Sequence, residues 1–190
     1  LCGCGEKRMI NEINLTDEQL AVAKSWASLI PETLNGSYRK GGGRLCGVSG
    51  EIAQMINLTA TRVDQDSELK YDYDLIYQKD GLERTLDVKT EETSFKPKAQ
   101  WDVSISAFNP NQKCDDYGFV RITKDYKTAY CFPPIPKDFF YKNAAFRRKG
   151  ELDPKSGKSG FGPKYWYPED QYVLEISKIL QYNNSDSFGF

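Results

Sequence analysis

Apolar residues first recur at helical spacing over Leu20, Val22, Ala23, Trp26, Ala27 and Ile30, directly after Thr16-Asp17-Glu18-Gln19. That quartet is a capping-box signature: the Thr16 hydroxyl can accept from the Gln19 amide while the Gln19 side chain reaches back. Pro31 marks the end of this first helix. A polar, glycine-rich and basic connector occupies 35–44. A second helix is predicted from about Ser49 to Leu58, with Ile52, Ala53, Met55 and Ile56 inward and Glu51 in its first turn. Residues 60–66 predict a weak strand.

The period then changes from helical to alternating. Lys70 to Tyr77 and Leu82 to Thr90 flank Asp80-Gly81, which predicts two strands around a tight turn. Glu91 to Gln100 is polar, carries Lys96-Pro97-Lys98, and reads as a mobile loop. Trp101, Val103, Ile105 and Ala107 alternate with polar residues as in a strand, although a segment this short could also become a helix. Tyr117 to Ile122 and Thr128 to Phe132 predict a strand pair around Lys124-Asp125-Tyr126-Lys127. Pro136 opens a helix expected to reach about Arg148, since proline suits the first helical turn. Residues 149–164 read as a loop, and Tyr172 to Ile176 as a last strand. No repeat and no domain-scale linker interrupts the chain, so 9–190 is expected to be a single domain. Residues 1–8 are expected to be a remnant of upstream or expression-derived sequence, because Met9-Ile10-Asn11-Glu12 looks more like a natural start.

Composition narrows the chemistry more than the fold. Of 190 residues, 39% are hydrophobic and 28% charged, ordinary values for a globular chain with a real core. No apolar run approaches the ~18 residues that span a bilayer, so no membrane partner is expected. The first eight residues lack the apolar stretch of a secretory leader. Histidine is absent. Ser-His-Asp and Cys-His catalysis and most catalytic zinc sites need an imidazole, so hydrolysis here would run on carboxylates, lysines and an oxygen-loving metal. The five cysteines, at 2, 4, 46, 114 and 131, lack paired Cys-x-x-Cys spacing, and reduced thiols in an intracellular protein are expected.

The candidate chemistry sits on the predicted hairpin. Side chains at i and i+2 of a strand share a face, so Asp87 and Lys89 lie together, and Asp74 on the paired strand can join them. Two carboxylates and an ammonium converging at a hairpin can hold a divalent metal and position a water, a layout suited to phosphodiester hydrolysis.

These residues resemble the PD-(D/E)XK nuclease superfamily, which includes restriction endonucleases, phage exonucleases and recombination nucleases. The resemblance covers roughly 47–122: a helix with Gly47-Val48-Ser49-Gly50-Glu51, a hydrophobic strand with Asp74, and Leu86-Asp87-Val88-Lys89-Thr90. Phe119-Val120-Arg121-Ile122 and Ala145 to Glu151 look more loosely like segments of phage-type members. Tyr73 stands where the motif has proline, and Asp87 takes the Asp option of the Asp/Glu position. The resemblance implies an α/β (α+β) domain, restriction endonuclease-like, with a central mixed sheet flanked by helices. It implies Asp74, Asp87 and the Val88 carbonyl as metal ligands, Glu51 as a further acid on the metal, and Lys89 as the catalytic lysine that orients or helps deprotonate water. It also implies Mg²⁺, with Mn²⁺ able to substitute, DNA as partner, and an intracellular, phage-like setting. A homo-oligomer is compatible with it.

Each site also has a plainer reading. Asp74 could be an exposed acid on a one-sided sheet, and Asp72 competes with it. Asp87 and Lys89 could form a surface ion pair, which is worth little in water. An acid in a first helical turn, as expected for Glu51, favourably meets the helix dipole. Gln100 could position substrate or be an ordinary loop residue. With 26 basic against 27 acidic residues the chain does not hold nucleic acid by bulk charge. Local clusters remain as candidate DNA contacts, Arg39, Lys40 and Arg44, then Lys96 and Lys98, with further basic groups at Arg147–Lys149 and at Lys155, Lys158 and Lys164. Tyr165-Trp166-Tyr167 could stack bases or pack a loop. The alternatives to a nuclease are an inactive DNA-binding or assembly module of the same fold, or a protein-interaction domain without a nuclease site.

Overall fold

The computed structural model describes residues 9–30, 43–63, 72–108, 112–159 and 161–185. Its elements are β1 (Asn11–Asn14), α1 (Asp17–Leu29), α2 (Arg44–Leu58), β2 (Thr61–Arg62), β3 (Leu75–Lys79), β4 (Leu82–Thr93), β5 (Asp102–Ser106) and β6 (Asp116–Thr123). They continue with β7 (Thr128–Cys131), β8 (Ile135–Pro136), α3 (Lys137–Asn143), β9 (Ala145–Arg147), β10 (Gln171–Glu175) and α4 (Ile176–Ser185). The main sheet runs β1-β7-β6-β4-β3-β2, with β8 added on β6. It is mixed, because β4 and β6 pair in parallel while the other pairs are antiparallel. A smaller sheet, β5-β10-β9, lies apart from it. The chain is thus an α+β fold with a mixed central sheet flanked by helices. Among the described residues, no helix is long and apolar enough to cross a membrane.

Alternation along β4 and β6 builds two cores. Leu86 and Val88 of β4 and Val120 and Ile122 of β6 meet Ala23 and Ala27 of α1 and Val48, Ile52 and Ala53 of α2. Tyr117 and Phe119, pointing the other way, meet Phe140 of α3, Ile176 and Ile179 of α4, and Val103 and Ile105 of β5. Tyr117, Phe119 and Phe140 pack with ring centroids 5.5 to 6.3 Å apart, a spacing that favours tilted and edge-on aromatic pairs. Cys46, Cys114 and Cys131 are buried within these cores.

The predicted capping box at Thr16 and Gln19 is present, with bonds of 3.2 and 2.8 Å. Asp80 and Gly81 take φ of 53° and 77°, the left-handed pair that a two-residue turn between twisted strands requires. Other boundaries differ from the expected ones. Helix α2 begins at Arg44 rather than near Ser49, which moves Glu51 two turns inside and removes the helix-dipole explanation for it. Strand β4 continues through Thr93 because Glu91 and Glu92 still pair with Arg121 and Ile122, so the first three residues of the segment expected to be a loop from Glu91 are strand. The helix opened by Pro136 stops at Asn143, whose side-chain amide donates to the Phe139 carbonyl at 2.8 Å. Ala145 to Arg147 then leaves to pair with β10. The strand expected to end the domain is followed by α4.

Close approach of α2 to β4 depends on Gly50. A Cβ there would stand 1.9 Å from Thr90 Oγ1 and 2.8 Å from Thr90 Cβ, so rotating the threonine cannot relieve the overlap. Gly50→Ala is therefore expected to cost about 1–3 kcal/mol as the helix is pushed off the sheet. A urea midpoint equal to that of the wild type would show that α2 does not seat against Thr90.

Candidate functional site

The site forms just before β3 begins, beside β4, so Asp74, expected on the strand itself, is the residue that leads into it. Leu75 and Leu86 are the last pair of the β3–β4 register, and Asp74 directly precedes that pair. The Asp74 amide donates to the Leu86 carbonyl at 2.9 Å. Beyond it no β3 backbone remains to meet Val88, and the Asp74 carboxylate takes that place, accepting from the Val88 amide at 2.7 Å. In an extended strand the amide and carbonyl of one residue face the same neighbour, so the Val88 carbonyl is directed toward the same gap.

Asp87 and Lys89 share the face of β4 turned toward Tyr117 and Phe119, their register partners on β6. Asp87 is only 4% exposed, and two groups meet it. Lys89 Nζ lies 2.6 Å from Oδ2, and the Gln112 side-chain amide donates to Oδ1 at 2.5 Å. From α2, Glu51 is held 2.8 Å from Arg62 Nε on β2. The Arg62 guanidinium in turn lies 4.3 Å from the Trp26 ring centroid, a cation–π placement.

Electrostatically the four groups form one unit. Burial, then the charges of Asp87 and Glu51, hold the Asp74 carboxyl well above the usual aspartate range, against the opposing pull of Lys89 and the Val88 amide. Glu51 is raised by burial, partly offset by Arg62, with Asp87 adding to the rise. Burial alone would lower Lys89, but Asp87 and then Asp74 outweigh it and leave the ammonium more firmly protonated than a free lysine. Behind Asp87, burial first and the Asp87 charge second push the Cys114 thiol up to about 12, so it is an inert neutral thiol.

The arrangement concentrates buried negative charge that is incompletely compensated. Among the described residues, no three acidic or thiol side chains are gathered into a ready-made metal-ligand set. Each carboxylate leans on its own partner instead: Glu51 on Arg62, Asp74 on the Val88 amide, Asp87 on Lys89 and Gln112. The donor chemistry still fits a hard divalent cation, since it is carboxylate and carbonyl oxygen without histidine or accessible thiol.

Other sequence candidates fall elsewhere. Asp72 is 3.2 Å from Lys113 and outside β3. Arg44 donates to the Ile30 carbonyl at 2.6 Å, next to the end of α1. Lys96 is 3.6 Å from Glu12 and 5.9 Å from the Tyr130 ring, at the sheet edge opposite β3, and so does not flank the carboxylates. Lys98 is exposed in the turn before β5. Arg39 and Lys40 lie outside the described residues. Gln100 offers its carbonyl to Lys155 Nζ at 2.9 Å.

Sequence reasoning missed Gln112, Arg62 and a neighbouring buried network in which Asp116 accepts from Tyr77 at 2.7 Å and from both sides of the Arg84 guanidinium. Nothing in the local pattern marks Gln112, which reaches Asp87 from 25 residues away. Arg84 and Asp116 carry only the weak signal of charges within apolar strands.

No protein-family model matches the chain, and no curated protein is detectably similar to it.

Proposed function

We propose that this chain is a metal-dependent deoxyribonuclease of the PD-(D/E)XK type, with a restriction endonuclease-like fold. The observation that carries the reading is the Asp74 carboxylate seated on the Val88 amide at 2.7 Å, between Asp87 and Lys89, which themselves meet at 2.6 Å, with the charges of Asp87 and Glu51 acting on Asp74. Asp74, Asp87, the Val88 carbonyl and Glu51 would hold Mg²⁺, or Mn²⁺ in its place. When bound, the cation supplies neutralisation of the charge that develops on a phosphodiester and acidification of a coordinated water.

The chain's own residues have separable roles. Gln112 fixes Asp87 by occupying one of its oxygens. Lys89, charged at neutral pH, presents a donor and a positive charge where a phosphate oxygen or attacking water would approach. Its fixed charge suits it to stabilise the phosphate or to orient the attacking water. Arg62 and Trp26 hold Glu51 at the rim. Water attacks phosphorus in line and the opposite P–O bond breaks, so the Asp74 side of the site must stay open to the strand.

One observation favours a second reading, an inactive DNA-binding or assembly module: the carboxylates already have partners of their own. Linear and circular DNA incubated with the protein in Mg²⁺, Mn²⁺ or EDTA separates the two. Cleavage in metal and none in EDTA is the expected result. DNA left intact under every metal condition, while still bound, would replace the nuclease with the inactive module.

A further inference from the structure

The face of β4 that carries Asp87 and Lys89 continues into a cleft. Glu91 lies one pleat repeat beyond Lys89 on that face, about 7 Å along the strand. Arg121, its register partner on β6, approaches it to 2.6 Å, and the Ser104 hydroxyl of β5 donates to it at 2.9 Å. These groups contribute to the lining of a cleft of about 440 Å³, to which Lys164, Tyr165 and Tyr167 also contribute. The residues that carry this aromatic wall are held in place by backbone bonds: the Asp153 amide to the Tyr165 carbonyl at 2.8 Å, and the Tyr167 amide to the Glu151 carbonyl at 2.9 Å. The two tyrosine rings meet edge to face, 5.7 Å apart.

Three properties define what fits. The volume suits one small organic group and is far too small for a duplex. The wall is aromatic, and the floor is a fixed set of polar groups already bonded to one another, so the cleft needs no reorganisation to bind. Lys164 is exposed and makes no ion pair among the described residues, leaving its ammonium for an anion.

We propose that the cleft receives one unpaired nucleotide of the substrate strand beside the scissile bond, its base against Tyr165 and its phosphate toward Lys164. This rests on the nuclease reading for its place in the reaction, but not for its test. The cleft then selects single-stranded, frayed or locally opened DNA over intact duplex, because a paired base cannot enter.

The test uses the full chain in EDTA, titrated with a tetrathymidylate and followed by tryptophan fluorescence, since Trp101 also lines the cleft. Saturable binding is expected, weakened about tenfold or more by Tyr165→Ala, as for loss of one stacked base, and largely restored in Tyr165→Phe. Lys164→Ala should weaken the oligonucleotide while leaving weak binding of thymidine, which has no phosphate, unchanged. Absence of saturable binding would overturn the proposal, as would Tyr165→Ala binding like wild type with an unchanged circular dichroism spectrum. Oligonucleotide binding in this cleft with no cleavage in any metal would instead sink the nuclease reading and leave the cleft assigned. Cleavage with unaltered Tyr165→Ala binding would do the reverse.

Discussion

Lys89→Ala is expected to slow DNA cleavage by about a hundredfold or more while leaving DNA affinity within a few-fold of wild type. The lysine is pinned 2.6 Å from a carboxylate that is almost fully buried, so its charge is aimed rather than swinging in solvent. A fixed charge needs no reorganisation as negative charge builds on the phosphate, so its loss falls on the transition state rather than on ground-state binding. The elevated proton affinity of Lys89 fixes the sign of the pH effect. In the metal-free chain its favourable contribution is complete below the ordinary lysine value and is lost only as pH rises through the higher folded value; bound Mg²⁺ pulls that value down, so any inflection from Lys89 is a loss of rate with rising pH. Lys89→Arg, which keeps charge but changes shape, should recover part of the rate. Single-turnover cleavage across pH by the three proteins checks this. A Lys89→Ala enzyme within a few-fold of wild type would remove Asp87-Val88-Lys89 from the chemistry.

The features legible in the chain are those set by neighbours in sequence. Asp80-Gly81 fixes a two-residue turn, and that turn fixes the β3–β4 register as far as Leu75 and Leu86, which brings Asp74 to the edge of β4 beside Val88. Thr16 and Gln19 fix the start of α1 by bonds that span three residues. What was not legible depends on distant packing. Gly47 and Gly50 lower the intrinsic helix preference of 44–50, yet burial of Cys46 and Val48 and the close seat on Thr90 make this stretch helical. Ile176 extends the alternation of β10, but Ile176, Ile179 and Asn183 are also one face of a helix, and the core beneath α3 decides for the helix. Gln112 and Arg62 reach the acids across the fold and leave no periodic trace. Lys96 is near the hairpin in sequence but lies by β1 and β7, because β4 runs on to Thr93 and carries the next segment away.

Asp74→Asn should separate stability from function at a single position. Asparagine can still accept from the Val88 amide through its side-chain oxygen, so the end of β3 should keep its shape. It removes a charge that the folded chain holds at a cost, through burial first and repulsion from Asp87 and Glu51 second. An acid whose folded value is raised binds its proton more tightly in the folded chain. Stability therefore falls as pH climbs from the ordinary aspartate range through the folded value, and above that value the penalty is constant. In EDTA at neutral pH, Asp74→Asn should accordingly melt above wild type, by about 2–4 °C for each kcal/mol of relieved strain in a chain of this size. The gap should close as pH drops below the ordinary aspartate range, where the wild-type carboxyl is protonated too. Mg²⁺ should reverse the order, because a ligand bound only by the folded wild type raises its melting temperature, and the variant lacks a charged oxygen for it. Cleavage should fall at least as far as in Lys89→Ala. Thermal melts with and without Mg²⁺, at neutral and acidic pH, read all of these at once. A variant less stable than wild type in EDTA at neutral pH would mean that the Asp74 carboxylate is there to hold β3 to β4, and that a lost metal ligand is not the reason for any loss of cleavage.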